Sequence, residues 1–324
     1  MTDSTYRAPG WLPGGHLQTI WPLARKPASP EYMRVRWETP DEDFIHADWI
    51  PKRPGVPLVV LFHGLEGDSD SHYARSVMSH LSRIRWNGVV PHFRGCSGKP
   101  NRLMRAYHSG DSEEIGWMLA RIAERYREGP VFAVGISLGG NALLKWLGEQ
   151  GRDARKYVAA AAAVCAPLDL EISGRALGEG FNRVYTARFL RTLKAKALDK
   201  IRTHGDTSLD AERIRTSRTL YEFDDAFTAP VHGFDGVLDY WRRASSRPLL
   251  HGIRVRTLLL NARNDPFVPP EILPADSELP RYVTAEYPAT GGHVGFLRGG
   301  FPGHLNWLPE RLVTHFRHSV KRRR

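Results

Sequence analysis

Between Val131 and Gln150 the chain has few conformations open to it. Val131 to Val134 is a short apolar run. Gly135-Ile-Ser137-Leu-Gly139 follows without a break, and from Asn141 to Gln150 the apolar residues Ala142, Leu143, Leu144, Trp146 and Leu147 recur at helical spacing. A buried strand that turns through G-x-S-x-G straight into a helix is a nucleophile elbow. The turn is tight, so Gly135 and Gly139 must remove the Cβ atoms that would collide with the strand or with each other. The spacing predicts that the Ser137 hydroxyl stands above a sheet at a helix N-terminus. There the backbone N–H of Leu138 faces any oxyanion that forms on an acylated substrate. The pentapeptide alone also occurs in ordinary glycine-rich turns with a capping serine. The strand before it and the helix after it give it this meaning.

The rest of the chain alternates strand and helix. Residues 32–38 and 43–50 read as an antiparallel pair. Leu58 to Phe62 is apolar at every position, as a central strand covered on both faces requires. Tyr73 to Ile84 is a predicted helix, Gly88 to Phe93 a strand, and Asp111 to Tyr126 a helix with acidic residues in its first turn. Val158 to Cys165, Val255 to Ala262 and Tyr282 to Tyr287 give three further strands, and a last helix lies near Asn306 to His318. This order predicts an α/β protein, a single domain over 1–324 with a mostly parallel central sheet and helices on both faces. Two segments break the rhythm. Residues 1–30 mix Pro and Gly with Trp11, Leu17, Ile20 and Trp21, which predicts an irregular arm that covers core or closes one side of a pocket. Residues 170–250 are basic, aromatic and mainly helical, and predict a cap inserted over the strand ends.

A serine hydroxyl is a weak nucleophile until a base takes its proton and a third group fixes that base. Downstream of Ser137, Asp265 follows the strand ending at Ala262, and His293 follows the strand ending at Tyr287. Serine, acid, histidine is the order of the α/β-hydrolase fold, and parallel-sheet enzymes gather their chemistry at the carboxyl ends of strands. Asp265 also suits a simple turn before Pro266, with Asp169 or the Asp224-Asp225 pair as other acids. His304 and His315 also lie downstream, His304 beside and His315 within the last predicted helix. His63-Gly-Leu65-Glu-Gly67 leaves the Leu58–Phe62 strand where a second oxyanion donor is expected, the N–H of Leu65. His63 itself reads as a structural histidine ordering that loop.

Several segments together carry a resemblance: His63 to Gly67, His92-Phe-Arg-Gly-Cys-Ser-Gly98, Gly135 to Asn141, Gly292-His-Val-Gly-Phe296, the aromatic arm, and Phe223-Asp-Asp with Thr228-Ala-Pro230. They resemble the YheT-like α/β-hydrolases, relatives of the α/β-hydrolase-domain lipases and esterases. The resemblance covers nearly the whole chain. It implies an α/β-hydrolase fold with an inserted helical cap and Ser137, Asp265 and His293 as a catalytic triad. Eukaryotic relatives of this family act on phospholipids and other lipid esters and carry a membrane anchor.

Composition narrows the remaining choices. No window reaches the ~20 apolar residues of a membrane span, and Met1 to Gly15 lacks the apolar core of a signal peptide. Cys96 and Cys165 are too few for a disulfide framework, which fits a reducing, cytoplasmic setting. They have no partners at ligand spacing, so no metal and no cofactor are expected. The net charge is +11, dispersed along residues 183–202 and in the tail Lys321 to Arg324. No nucleic-acid-binding signature accompanies it, so it reads as solvated surface open to transient contact with an anionic membrane. The expected activity is hydrolysis of a small-molecule or lipid carboxylic ester through an acyl-enzyme. A thioesterase or a phospholipid or lysophospholipid hydrolase is the neighbouring reading. A non-catalytic binder of anionic partners is the reading from another class.

Overall fold

The structure is a computed structural model and describes residues 6–205 and 208–321. The basic tail lies outside the described residues apart from the backbone of Lys321. Strand β3 (Leu58–Phe62) explains the layering. Leu58, Val60 and Phe62 enter one core while Val59 and Leu61 enter another, and all five are buried. Around it, β1 (Met33–Glu38), β2 (Phe44–Trp49), β4 (Asn87–Pro91), β5 (Val131–Ile136), β6 (Ala160–Val164), β7 (Arg256–Leu260) and β8 (Val283–Glu286) complete an eight-stranded sheet. The order is β1-β2-β4-β3-β5-β6-β7-β8. β2 pairs antiparallel with both β1 and β4, and every other pair is parallel.

Helix α1 (Gly15–Ala24) precedes the sheet. α2 (His72–Arg83) packs Ala74, Val77, Met78 and Leu81 on one face of the sheet. α3 (Ser112–Arg125) and α4 (Leu138–Gln150) cover the other through Ile115, Met118, Leu143 and Leu144. Between β6 and β7 come α5 (Leu170–Leu177), α6 (Asn182–His204), α7 (Ala211–Thr216), α8 (Leu220–Phe223), a π-helical turn (Asp224–Thr228), α9 (Ala229–Val231) and α10 (Gly236–Ala244). This segment holds small cores of its own, one around Leu190, Ile214, Phe223 and Phe227 and one around Val237, Tyr240 and Trp241. α11 (Trp307–Lys321) returns to the α2 face with Trp307, Leu312 and Phe316. No helix among the described residues is long and apolar enough to cross a membrane.

Register fixes where chemistry can occur. Phe62 pairs with Gly135, Ile136 with Val164, and Val164 with Leu260. The loops that leave β3, β5, β6 and β7 therefore start at one level along one edge of the sheet. One expectation is corrected here: residues 1–30 are not an irregular arm throughout, since 15–24 form a helix. Its glycine and proline would disfavour a helix free in solution, where short helices are marginal anyway. Docking supports it instead. Pro22 has no N–H for the Gln18 carbonyl, and that carbonyl lies where a Cβ on Gly295 would come within 2.1 Å. A Cβ on Gly15 would meet the Asn264 carbonyl at 2.0 Å, so only glycine lets the helix sit this close.

Candidate active site

Ser137 stands between β5 and α4 with φ 53° and ψ −119°, a backbone conformation that side-chain-bearing residues rarely adopt. The fold holds it there. Its N–H donates to the Val164 carbonyl at 2.8 Å, and its own carbonyl accepts from Gly140 and Asn141 as α4 begins. The flanking glycines are needed for space. A Cβ on Gly135 would lie 2.4 Å from the Gly139 carbonyl oxygen, and one on Gly139 would lie 2.5 Å from that of His63. Asn141, two positions beyond Gly139, donates to the carbonyls of Ser109 and Ala244 and accepts from the Ser246 N–H. It thus pins the start of α4 to the end of the 170–250 segment, a role with no signature in the sequence beyond its place after Gly140.

The loop after β3 passes directly beside the serine, since a Cβ on Gly64 would be 3.2 Å from the Ser137 Cβ. His63 is fully buried, with Nδ1 bound to the Gly64 carbonyl and Nε2 accepting the N–H of Phe93. Burial lowers its pKa to about 3, so it is a neutral tie between loops. The Gly64 N–H donates to Tyr73 Oη and the Glu66 N–H to Tyr107 Oη. The N–H groups of Leu65 and Leu138 reach no acceptor among the described residues. Lys196 of α6 binds the Glu66 carboxylate at 2.8 Å, tying the helical segment to this loop.

His293 Nδ1 lies 2.8 Å from Asp265 Oδ2, and its Nε2 lies 2.9 Å from Ser137 Oγ. An ionised carboxylate can only accept, so Nδ1 carries the ring proton and Nε2 accepts from the serine hydroxyl. The second oxygen of Asp265 accepts the Phe267 N–H at 2.8 Å, so Asp265 opens a turn and holds the imidazole at once. The other acids lie elsewhere. Asp169 caps α5, Asp224 is buried against Thr228 and Trp241, and Asp225 pairs with Arg213. His315 binds the Ala161 carbonyl, and His304 bridges to Arg298 through backbone.

The histidine loop is held by α1, which the sequence did not reveal. The His293 N–H donates to Thr19 Oγ1 at 2.9 Å, and Gln18 Oε1 accepts from the Gly291 N–H and from Asn264. Gly292, at φ +59°, runs against the α1 backbone, where a Cβ would meet Gln18 at 2.8 Å. Cys165 lies beneath, accepting the Val294 N–H at 3.3 Å. Its sulfur, the Asp265 carboxylate and a His293 nitrogen fall within 4.8 Å of one another, close enough to hold a metal. Burial, the largest influence on it, pushes the Cys165 thiol well above its ordinary range. The other two members of this set are already engaged, Asp265 with His293 and His293 with Ser137.

A small cavity opens on Ser137 and His293, walled by Leu170, Leu177, Phe189 and Phe267. It adjoins a larger one of about 400 Å³ running beneath α6, lined by Ala106, Tyr107, Leu193, Ala197, Phe223 and Phe227 among others. The two share Leu65, Ser109, Leu138, Leu220 and Asp224.

Sequence comparisons agree with this architecture. A family model for the alpha/beta hydrolase fold matches residues 57–299. Over 302 residues the chain is 38% identical to the Escherichia coli protein named "Putative esterase YheT", spanning 92% of this chain and 88% of that one. It is 25% identical to human Phospholipase ABHD3 over 326 residues, spanning 98% and 79%. The Pyrococcus furiosus esterase Pf2001 superposes with a TM-score of 0.57 at 18% identity, over 99% of this chain and 98% of its own, which shows a common fold. With the family model spanning β3 to β8 and an esterase-named relative matching nearly its full length, the chain belongs to the α/β-hydrolase family, in its YheT-like branch, and is a carboxylic ester hydrolase.

Proposed function

We propose that the protein is a serine esterase acting on acyl esters through Ser137, His293 and Asp265. One observation carries this reading: a single imidazole within hydrogen-bond reach of both the serine hydroxyl and a buried carboxylate. Ser137 Oγ attacks the ester carbonyl carbon while its proton passes to His293 Nε2. The carbonyl oxygen takes the negative charge beside the N–H groups of Leu65 and Leu138, which have no acceptor of their own among the described residues. Asp265 steadies the imidazolium without taking its proton. The C–O bond to the alcohol then breaks, and the alcohol leaves with the proton from Nε2. Water then gives a proton to His293 Nε2 and attacks the acyl carbon; the acyl C–Oγ bond breaks, Ser137 Oγ takes back the proton from Nε2, and the carboxylic acid leaves.

Residues 170–250 serve as the cap in this reading of 1–324 as a single domain, and the apolar chamber beneath α6 receives the acyl chain. Its volume of about 400 Å³ exceeds what a short acyl group would need. A lipid ester is the substrate class that such a chamber favours, and the name of the human relative, a phospholipase, supports it. Two buried free thiols fit action in the reducing cytoplasm. The test is labelling by a fluorophosphonate probe, wild type beside Ser137→Ala, followed by hydrolysis of p-nitrophenyl esters of graded chain length. Ser137-dependent labelling with turnover peaking at a medium or long chain is expected. A folded protein that takes no label would refute the activated serine, and turnover falling steadily from acetate upward would refute the acyl chamber.

A further inference from the structure

One surface has no part in this chemistry. Helix α1 is docked through Gln18 and Thr19, and its opposite face is open, with Leu17 49%, Ile20 38% and Leu23 38% exposed. The apolar face continues beyond the helix in both directions. At one end Trp21 and Trp11 pack on Phe301, with ring centroids 5.8 and 5.4 Å away, and Phe301 is 73% exposed. At the other, His16 meets Phe181 at 4.7 Å, and Val184 follows on α6. Of the nine exposed large apolar side chains among the described residues, six belong to this ridge: Leu17, Ile20, Leu23, Phe181, Val184 and Phe301. Single exposed apolar residues are ordinary, whereas a continuous ridge marks an interaction surface.

Its surroundings select the partner. From Val184 the exposed stripe of α6 runs on to Arg188 and Arg191, four and seven residues later and thus on the same helix face. Arg183 and, after α1, Arg25 are exposed as well. None of these four arginines has a carboxylate partner among the described residues, and the acid that α6 itself carries, Asp199, lies eight residues beyond Arg191 and pairs with Arg202. An apolar ridge flanked by unpaired cations is the arrangement of proteins that lie in a lipid headgroup layer. The ridge also borders the site. Tyr185 beside it packs on Phe267 at 4.7 Å, and Phe267 packs on His293 at 4.3 Å.

We propose that the α1–α6 ridge docks on an anionic lipid surface, with Leu17, Ile20, Phe181, Val184 and Phe301 entering the headgroup layer and the arginines meeting lipid phosphates. That the surface then feeds ester to Ser137 rests on the esterase reading above. Docking itself does not, and it is measured without turnover. The experiment is vesicle pelleting of the full chain with phosphatidylcholine alone and with equimolar phosphatidylcholine and phosphatidylglycerol, from about 0.1 to 1 M salt, where screening shortens from about 10 to 3 Å.

Wild type is expected to pellet with the anionic vesicles and to release as salt rises. Ile20→Glu/Phe301→Glu and, at the other end, Phe181→Ser/Val184→Ser should each lower partitioning by tenfold or more. Arg188→Glu/Arg191→Glu should abolish the preference for anionic vesicles. Circular dichroism melting identifies any variant that does not fold, and the pair at the opposite end then decides. Pelleting unchanged in a folded ridge variant, or no wild-type pelleting at low salt, overturns the proposal. So does a wild-type dimer in sedimentation velocity that ignores vesicles and dissociates in the ridge variants, since the ridge would then join two copies of this chain.

Discussion

Asp265→Asn separates holding the imidazole from choosing its tautomer. Asp265 Oδ2 faces His293 Nδ1 at 2.8 Å, and Oδ1 accepts the Phe267 N–H at 2.8 Å. Asparagine has one accepting and one donating end. With its oxygen on Phe267, its NH₂ faces Nδ1, and the ring must carry its proton on Nε2, where it cannot receive one from Ser137. In a serine triad that tautomer costs about 10⁴ in rate. Rotating the amide by half a turn restores the tautomer but sets NH₂ against the Phe267 N–H. A buried donor without an acceptor costs about 1–3 kcal/mol, roughly 5–150-fold in population, and the facing donors repel besides. With the donor–donor repulsion added, the flip costs at least the upper end of that range, so it relieves only part of the tautomer penalty and kcat should fall by between about 10² and 10⁴. Asp265→Ala, which cannot flip, should lie at the lower end of activity, near a 10⁴ loss. The assay is p-nitrophenyl ester turnover beside the rate of fluorophosphonate labelling, which reads serine activation directly, with melting curves to confirm folding. Less than a tenfold loss in folded Asp265→Asn would refute Asp265 as the group that sets the tautomer.

Three other perturbations address the scaffold. Gly139→Ala places a Cβ 2.5 Å from the His63 carbonyl oxygen and 2.6 Å from that of Phe62. Both are backbone of a central strand and its exit, so activity should vanish along with about 1–3 kcal/mol or more of stability, read by urea denaturation. Thr19→Val removes the acceptor of the His293 N–H. kcat should drop on the order of tenfold with little change in KM, and Thr19→Ser should recover it; equal kcat for Val and wild type would show that α1 does not position the histidine. Asp224 is buried, and burial, against the opposing bonds from Thr228 and Trp241, raises its carboxyl from 3.8 to about 6. The folded state thus keeps a proton that the unfolded chain has released. This contribution to stability is complete below about pH 4 and is lost as pH rises through about 6. Asp224→Asn keeps an acceptor for Trp241 and should remove that dependence. Its stability relative to wild type should then rise by up to about 3 kcal/mol from about pH 4 to pH 7 in urea titrations, and a constant difference would refute the assignment.

The sheet was legible because its signals are local. Leu58–Phe62 and Val131–Ile136 are apolar at every position, as strands buried on both faces must be. The elbow was legible for a related reason, since collisions between backbone atoms dictate glycine at 135 and 139 whatever surrounds them. Helix α1 was not legible. Its glycine and Pro22 argue against a helix, and what overrides them is contact with residues 264 and 291–295, far along the chain. The ties made by Gln18, Thr19 and Asn141 were hidden for the same reason, since an amide or hydroxyl that joins two remote loops looks locally like any surface polar residue. Asp111 and Glu114 were read as favourable charges at a helix start. Glu114 is in fact buried against Arg94, and Asp111 pairs with Arg105, which is packing that charge spacing does not disclose.

The bond between Thr19 and His293 spans 274 positions of sequence. During synthesis the segment bearing Ser137 leaves the ribosome, and can pack on the strands already made, well before His293 exists. When the histidine loop emerges, its seat is a helix made 274 positions earlier. The growing chain therefore carries Ser137 without its proposed base. On the proposed mechanism, hydrolytic power arrives in one late step, when α1 and the histidine loop close on each other. Peptide fused ahead of α1 would act on that closing step and not on the sheet, so a tag placed there could yield a folded protein with a silent serine.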